Sequence, residues 1–352
     1  MIKFGVVGYG YSGRAFHTYL PTLATGLELG GITVRNPEVQ KAAAADHPEA
    51  RIFDSLEAML QDDSIQLVIL ATPHNTHHAL SIQAMNAGRH VVTDKVMAMN
   101  APEAEEMIAV ARQNKVMLSV FHNRRWDWDY LTVKQVVESG MLGEPFLYHA
   151  AIAGYGAPRG WRGVKAQSAG IMYDWGAHFM DQALQLVPAP VESVYCDIIY
   201  RPNSGTDIGN HGMIRMTFAN GTRYTVEITN LSPIPKPRWF VQGDRGSLIK
   251  YGLDPQEDYM RRKDILAAKD NPANYAQVVT VQDGQRQEQV IPSVEGSWVS
   301  YYQNISDVLN KGAELIVKPE QVLQVMRVYD AAMVSAETNQ VVRLQAADQR
   351  KR

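Results

Sequence analysis

The sequence has almost no cysteine and no long apolar segment. Its 352 residues include one cysteine, Cys196, which excludes an internal disulfide framework and favours a reducing compartment. We therefore expect a cytoplasmic location. The apolar runs are too short to cross a bilayer, and the N-terminus lacks a signal-peptide pattern, so no membrane partner is expected. A formal net charge of −3 gives no bulk attraction for nucleic acid.

What the sequence does contain is a glycine-rich turn at its start, between a predicted strand and a predicted helix. The apolar run from Ile2 to Val7 predicts a buried parallel strand, and residues 14–20 predict a helix. Between them, Gly8 permits a tight turn, Gly10 lets the backbone approach a pyrophosphate, and Gly13 lets the helix pack close to the strand. The spacing G-x-G-x-x-G in this context predicts a dinucleotide-binding site at a helix N-terminus.

Strand and helix patterns alternate as far as residue 121, which predicts a doubly wound parallel sheet. In this part, strands are predicted over 2–7, 27–34, 52–53, 65–71, 90–93 and 116–121, with helices over 14–20, 37–45, 76–88 and 102–114. Thr76 is predicted to cap its helix, and Asp54 to open a capping box before a short helix.

Beyond residue 143 the pattern changes to strands separated by turns. Strands are predicted over 146–153, 191–200, 211–218, 222–231, 239–241 and 247–251, with helices over 172–186, 297–310 and 319–337 and a frayed tail over 346–352. Asn220-Gly221 predicts a hairpin turn. The predicted fold is an α/β Rossmann domain, residues 1–122, followed by an α+β domain, residues 123–352, with a large, mostly antiparallel open sheet. The last helix could pack back on the first domain.

The end of the second predicted strand bears on the choice of cofactor. A carboxylate there bonds the ribose 2′-hydroxyl of NAD, but this chain has Val34 followed by Arg35. Arg35 could pair with the 2′-phosphate of NADP through charge-assisted hydrogen bonds, or it could simply face water. We expect NADP to be preferred, with NAD possible.

The stretch from Gly170 to Asp181 carries a candidate acid/base group. On a helix, Asp174 and His178 are separated by four residues and Asp181 follows His178 by three, so all three share one face. A carboxylate beside an imidazole orients it for proton transfer. The alternative is a buried polar cluster that only anchors the helix.

Further candidates follow the predicted strands of the first domain. Lys95 follows the fifth strand, where ligands bind in open α/β sheets, and its ammonium group could stabilise a developing alkoxide or merely face water. His74, His77 and His78 follow the fourth strand, but no local carboxylate or cysteine accompanies them, so no metal site is predicted.

An aromatic and basic segment, residues 122–127, follows the sixth strand. It is short and stands alone in an acidic chain, so we expect a site loop or an ion-paired interdomain seam and not a nucleic-acid surface.

Together these motifs resemble the family of glucose–fructose oxidoreductase, inositol dehydrogenase and their rhizopine-catabolism relative. The resemblance covers nearly the whole chain, and the strings at 122–127 and 250–257 are similar to those of the subgroup that contains NADP-dependent scyllo-inositol dehydrogenases. It implies a catalytic set of Lys95, Asp174 and His178. The implied cofactor-binding residues are Gly8, Tyr9, Gly10, Ser12, Gly13, Arg35, Thr72, Pro73, His77, Lys95, Asn123, Trp161 and Arg162. The implied substrate-binding residues are Lys95, Asn123, Arg124, Tyr155, Asp174 and His178.

One position departs from the family pattern. The chain has Asp94-Lys95-Val96 where the family has Glu-Lys-Pro, whose proline often follows a cis peptide bond. Because a cis bond is costly without proline, we expect a trans bond before Val96.

The resemblance implies an NAD(P)-dependent oxidoreductase that interconverts a secondary alcohol and a ketone on a sugar or cyclitol, with His178 exchanging the proton. An alternative is a glycosidase that oxidises its sugar transiently. Another is a non-catalytic sugar-responsive regulator, against which the presence of Lys95, Asp174 and His178 argues. The implied partners are a small sugar or polyol substrate and further copies of the chain, in a homodimer or homotetramer formed through the C-terminal sheet.

Overall fold

The computed structural model describes residues 1–202 and 204–344, so the predicted frayed tail over 346–352 lies outside the described residues. The chain forms two compact units. The first comprises Met1–Asn123, Asp258–Leu266 and Ser297–Leu323, and the second comprises Arg124–Glu257, Ala267–Gly296 and the described residues from Gln324 onward. Among the helices of the described residues, none combines the length and apolar character that a bilayer-spanning segment requires.

The first unit contains a six-stranded, all-parallel sheet, which confirms the predicted Rossmann-type fold. Its strand order is β3-β2-β1-β4-β5-β6. The strands are β1 (Ile2–Val7), β2 (Leu27–Thr33), β3 (Arg51–Phe53), β4 (Leu67–Leu70), β5 (His90–Thr93) and β6 (Leu118–Val120). Because β1 pairs with both β2 and β4, the strand order reverses beside β1, at the carboxyl edge where open α/β sheets bind ligands.

Helices connect these strands: α1 (Pro37–Asp46), α2 (Leu56–Leu60), α3 (His77–Asn86) and α4 (Ala101–Gln113). Two predicted caps were wrong. Ser55, and not Asp54, caps α2 by accepting a hydrogen bond from the Ala58 amide at 3.2 Å. Thr76 makes no side-chain cap bond to α3, because its Oγ1 donates to the carbonyl oxygen of Pro73.

The predicted helix over residues 14–20 is confirmed only in part, since no regular α-helix forms there. The segment forms a π-helical turn, Gly13–His17, and then a 3₁₀ turn, Leu20–Leu23. The amide of Thr18 donates to the carbonyl of Gly13, five residues back. Pro21 offers no amide hydrogen and disfavours helical geometry at the residue before it, so a regular α-helix does not continue.

The second unit is built on a nine-stranded sheet with the order β14-β13-β12-β11-β7-β10-β9-β8-β15. The strands are β7 (Pro145–Ala153), β8 (Val191–Ile199), β9 (His211–Phe218), β10 (Arg223–Thr229), β11 (Trp239–Gly243), β12 (Gly246–Lys250), β13 (Ala276–Gln282), β14 (Gln285–Ile291) and β15 (Val342–Arg343). Pairing is antiparallel except between β10 and β7. The sheet therefore confirms the predicted, mostly antiparallel second domain, and the hairpin turn at Asn220-Gly221 joins β9 to β10 as predicted.

Later helices are α5 (Trp128–Glu138), α6 (Lys165–Ser168), α7 (Ile171–Leu186), α8 (Gln256–Arg261), α9 (Val299–Lys311) and α10 (Pro319–Thr338). In the second unit, α7 packs on β9 and β10. Tyr329 of α10 stacks on Tyr173 with ring centres 4.3 Å apart and donates a hydrogen bond to the carbonyl of Met172. These contacts fix α7, the helix that carries the predicted acid/base pair.

Candidate active site

The glycine-rich turn after β1 has the shape that a dinucleotide site requires. Gly8 has a φ of +98°, and a Cβ added there would lie 2.6 Å from the carbonyl oxygen of Ala71. A Cβ on Gly13 would lie 2.0 Å from the carbonyl oxygen of Gly8, whereas one on Gly10 would meet no heavy atom within 4 Å. The turn therefore has no room for a side chain at Gly13, whereas the space beside Gly10 is open. This open space fits a pyrophosphate lying against Gly10.

Tyr9 and Ser12, both predicted to bind the cofactor, are held by carboxylates of the first unit. The hydroxyl of Tyr9 donates to Asp46 at 2.8 Å, and burial together with that carboxylate raises the pKa of the phenol. Ser12 donates through Oγ to Asp94 at 2.5 Å. These bonds fix the side chains that border the turn.

Arg35 lies just beyond the carboxyl end of β2 and is exposed. Within residues 1–202 and 204–344 its guanidinium forms no ion pair. Asn36 caps α1, and Gln40 donates to the carbonyl of Val34 at 2.8 Å. The backbone beside Arg35 is therefore fixed while its side chain is available to a ligand.

The loop after β4 is joined to the Lys95 segment by His77. The ring of this fully buried histidine lies 2.9 Å from the carbonyl oxygen of Thr72 through Nε2 and 2.6 Å from that of Val96 through Nδ1. Burial lowers the pKa of His77. The Lys95–Val96 peptide bond is cis, so the expected trans bond was wrong. Contacts on both sides define this backbone: the Lys95 amide donates to Asp94 Oδ1 at 2.8 Å, and Val96 is buried.

Both ring nitrogens of His77 face carbonyl oxygens, and His78 pairs with Glu106 at 2.9 Å, so the histidines after β4 do not present a shared set of metal ligands. In the part of the chain that the structure describes, one group of acidic residues has metal-like spacing: Asp127, Asp129 and Asp254. Arg124 and Arg238 form ion pairs with Asp127 and Asp129, so arginine already supplies the positive charge in that group.

Asn123, which follows β6, has a property expected of a ligand-binding residue. The residue is 2% exposed, and its side-chain Nδ2 makes no hydrogen bond to any described residue. A buried amide nitrogen without a partner is costly, and a carbonyl or hydroxyl oxygen of a bound molecule would satisfy it. This observation and the shape of the glycine turn fit the predicted cofactor.

In the second unit, α7 begins at Ile171, immediately after Gly170, whose φ is +126°. Asp174 lies in the first turn of the helix, where the helix dipole stabilises its charge, and its Oδ2 is 3.5 Å from Nε of Arg162. The guanidinium of Arg162 lies 4.5 Å above the ring of Trp161. Trp161 and Arg162, predicted cofactor residues, are thus connected to the predicted catalytic carboxylate.

His178, one turn after Asp174 on α7, is only 6% exposed, and its ring packs edge-on to that of Trp175. The predicted polar cluster on this helix separates into two parts. Asp181 is bound through both oxygens by Arg125, at 2.7 and 2.8 Å, and both side chains are buried. Asp181 therefore anchors the helix through Arg125, and Asp174 and His178 are the i, i+4 pair that the sequence predicts to be catalytic.

The segment over residues 122–127 holds its arginines in ion pairs and does not expose them. Arg124 contacts Asp127 at 3.0 Å and Glu257 at 2.6 Å, and its guanidinium lies 4.5 Å above the ring of Trp175. The two subgroup-like strings thus contact each other within the second unit. Tyr155, predicted to bind substrate, is 76% exposed.

Sequence reasoning missed two residues of the first unit, His17 and Tyr302. The Nδ1 atom of His17 is 2.5 Å from the Tyr302 hydroxyl, and its Nε2 is 3.4 Å from Asp94. Their separation along the chain is 285 residues, and only the polar character of His17 inside a predicted helix could have signalled it.

Comparison with known proteins agrees with this geometry. Residues 2–122 match the oxidoreductase family, NAD-binding Rossmann fold, and residues 134–344 match the oxidoreductase family, C-terminal alpha/beta domain. The chain is 33% identical over 351 residues to scyllo-inositol 2-dehydrogenase (NADP(+)) IolW of Bacillus subtilis, covering 98% of this chain and 96% of the relative. It is also 33% identical to the oxidoreductase YdgJ of Escherichia coli, covering 95% and 96%.

Among solved structures, the oxidoreductase YvaA from Bacillus subtilis superimposes with a TM-score of 0.90 at 30% identity, covering 98% of both chains. Both domain matches, the full-length relatives and the glycine turn point to one conclusion. The chain belongs to the Gfo/Idh/MocA family of NAD(P)-dependent oxidoreductases.

Proposed function

We propose that this enzyme interconverts a secondary alcohol and a ketone on a cyclitol or a related sugar, with NADP(H) as the preferred cofactor. The observation that supports this proposal most is the arrangement on α7. A buried imidazole, His178, lies one helical turn from a carboxylate, Asp174, whose partner is Arg162. The name of the scyllo-inositol dehydrogenase relative supports the substrate class.

The cofactor would be held by residues of the glycine turn and the following strand ends. Backbone amides near Gly10 would face the pyrophosphate, and the buried Nδ2 of Asn123 would donate to an oxygen of the cofactor or substrate. When bound, the nicotinamide supplies a hydride acceptor for the carbon that carries the reacting oxygen.

The protein residues would manage the proton and the charge on the reacting oxygen. During oxidation His178 takes the proton of the hydroxyl, and during reduction it returns a proton to the carbonyl oxygen. Asp174 stabilises the imidazolium form of His178 and is itself held by Arg162. Lys95 donates a hydrogen bond to the reacting oxygen and stabilises its partial negative charge.

This proposal is tested by supplying NADP⁺ or NAD⁺ with a panel of cyclitols, aldoses and glycosides. We expect reduced nicotinamide to accumulate together with a ketone product that has lost two hydrogens, and cyclitols to be the best substrates. Cleavage of a glycoside without net reduced cofactor would instead identify a glycosidase. Binding of sugars without turnover of any member of the panel would support a regulator and contradict the proposal.

A further inference from the structure

Asp94, the residue between β5 and Lys95, is bound from three directions within the first unit. Its Oδ2 accepts a hydrogen bond from Ser12 Oγ at 2.5 Å, and its Oδ1 accepts one from the backbone amide of Lys95 at 2.8 Å. The Nε2 atom of His17 lies 3.4 Å from Oδ2. The side chain is 13% exposed, so these contacts are largely shielded from water.

The position of His17 is defined by its own surroundings. Its side chain is fully buried, and Nδ1 lies 2.5 Å from the hydroxyl of Tyr302, which is also fully buried. The ring of Phe121 packs edge-on against the imidazole, with centres 4.7 Å apart. The imidazole is therefore held with Nδ1 facing the Tyr302 hydroxyl and Nε2 facing the carboxylate of Asp94.

The charge on Asp94 is maintained by these neighbours. Burial alone would raise the pKa of this carboxyl group, but the interaction with the nearby His17, the charge of Lys95 and the bond from Ser12 outweigh it, so the pKa lies well below its usual range. Asp94 is therefore an ionised acceptor that can hold more than one donor at once.

The partners of Asp94 connect two parts of the first unit that ligands would contact. Ser12 lies in the glycine motif, directly before the π-helical turn Gly13–His17, and His17 is the last residue of that turn. Lys95 lies at the carboxyl end of β5. One carboxylate thus connects the glycine turn, through Ser12, and the end of the π-helical turn, through His17, to the backbone of the lysine.

We propose that Asp94 is a positioning residue that couples the dinucleotide-binding turn to Lys95, with His17 and Tyr302 fixing its orientation. A cofactor that orders the turn would thereby order Lys95 as well. The consequence for turnover rests on the role proposed above for Lys95, whereas the consequence for cofactor binding does not.

The test is a double-mutant cycle. It asks whether the effects of changing Ser12 and Lys95 on cofactor affinity depend on each other, first with Asp94 present and then with its carboxylate removed. Calorimetry measures the Kd of NADP⁺ for the parent, Ser12→Ala, Lys95→Met and the double variant, and then for the same four proteins carrying Asp94→Asn. Asn has the same shape as Asp, so folding should be preserved, and thermal unfolding of each apo variant checks this. Asp63→Asn, at an exposed carboxylate paired with Arg89, serves as the matched control.

With Asp94 present, we expect the Kd of the Ser12→Ala, Lys95→Met double variant to differ by roughly threefold or more from the value that the two single changes predict when they act independently. In the Asp94→Asn background the two effects should multiply independently. Asp94→Glu, which keeps the charge, should restore part of the coupling. Independent effects in the parent, or the same coupling in the Asp94→Asn background, would overturn the proposal.

Turnover provides a second measurement. If the proposed function holds, Ser12→Ala should lower kcat by about 3- to 10-fold even at saturating cofactor, because the lysine loses its alignment. A purely structural role for Asp94 would leave this kcat unchanged. If no substrate is found, the binding measurements alone still decide the inference, so failure of the proposed function is distinguishable from failure of the coupling.

Discussion

At the scale of single residues, we propose that the carboxyl end of β2 sets which dinucleotide the first unit prefers. Val34 supplies no carboxylate to bond a ribose 2′-hydroxyl, and Arg35 beside it is exposed. An arginine paired to a partly exposed phosphate contributes about 1–3 kcal/mol, equivalent to roughly 5- to 150-fold in affinity.

We therefore predict that the parent binds NADP(H) more tightly than NAD(H). Val34→Asp should reverse the order, because the new carboxylate accepts the 2′-hydroxyl and repels the 2′-phosphate. Arg35→Ala should weaken NADP(H) and leave NAD(H) almost unchanged. Calorimetric titration of both cofactors into the three proteins provides the measurement. A parent that prefers NAD(H), with Arg35→Ala equivalent to the parent, would show that Arg35 serves neither cofactor.

Glu227 on β10 gives the second unit a group sensitive to acid. It accepts a hydrogen bond from His149 at 3.0 Å and pairs with Lys236, and these contacts lower its pKa to about 2 from an ordinary 4.5. Because the pKa is lower in the folded state, the stabilisation is present above about pH 4.5 and is lost as the pH falls toward 2.

We predict that Glu227→Gln lowers the free energy of unfolding at pH 7 by about 1 kcal/mol, since solvent screening reduces the value that the full shift would give. The difference from the parent should shrink as the pH falls from about 4.5 toward 2. Denaturant unfolding at pH 7 and in mild acid measures it. An equal deficit at both pH values would show that packing, and not charge, is lost.

At single residues, the sequence predicted local spacing but not contacts between distant parts of the chain. The helical spacing of Asp174 and His178 could be read directly, because i, i+4 neighbours share a face whatever the fold. That Asp181 pairs with Arg125, and that His17 meets Tyr302, depends on contacts 56 and 285 residues apart. No local pattern encodes such pairs.

At the scale of elements, the glycine turn separates a folding requirement from a binding requirement. The carbonyl oxygen of Gly8 leaves no room for a side chain at Gly13, whereas the space beside Gly10 is open.

We predict that Gly13→Ala destabilises the cofactor-free protein, because backbone must move to admit the methyl group. Gly10→Ala should leave the apo protein as stable as the parent and yet weaken cofactor binding by tenfold or more, because its methyl group occupies the approach of the pyrophosphate. Thermal unfolding of the apo proteins and calorimetry with NADP⁺ distinguish the two effects. Normal cofactor affinity in Gly10→Ala would place the pyrophosphate elsewhere.

Element prediction succeeded where burial produces a pattern and failed where it does not. β1 was predicted with its observed bounds, because a parallel strand that is largely buried on both faces appears as a mostly apolar run, here interrupted by Lys3 alone among charged residues. β13 and β14 were missed, since β14 lies at the sheet edge with nearly every side chain exposed. α5 was also missed; it begins at Trp128, directly after the segment interpreted as a loop, and only its N-cap residue, Asp127, lies in that segment.

At the scale of the whole molecule, the α/β and α+β fold classes followed from the change in pattern near residue 143. The parallel pairing of β10 with β7 inside the second sheet could not be predicted in this way, because the two strands are far apart along the chain. The first unit also includes residues 258–266 and 297–323. A division of the sequence into consecutive domains could not predict this, because these segments follow most of the second unit along the chain.

We propose that the enzyme oxidises an alcohol with His178 as the proton acceptor. The most direct measurement is the rate of nicotinamide reduction at saturating substrate and cofactor by the parent and by His178→Asn, with cofactor Kd measured on both. We expect kcat to fall by about 10²- to 10⁴-fold while the cofactor Kd stays within about twofold. Near-parental kcat in His178→Asn would contradict it, and loss of cofactor binding together with kcat would assign the histidine to structure.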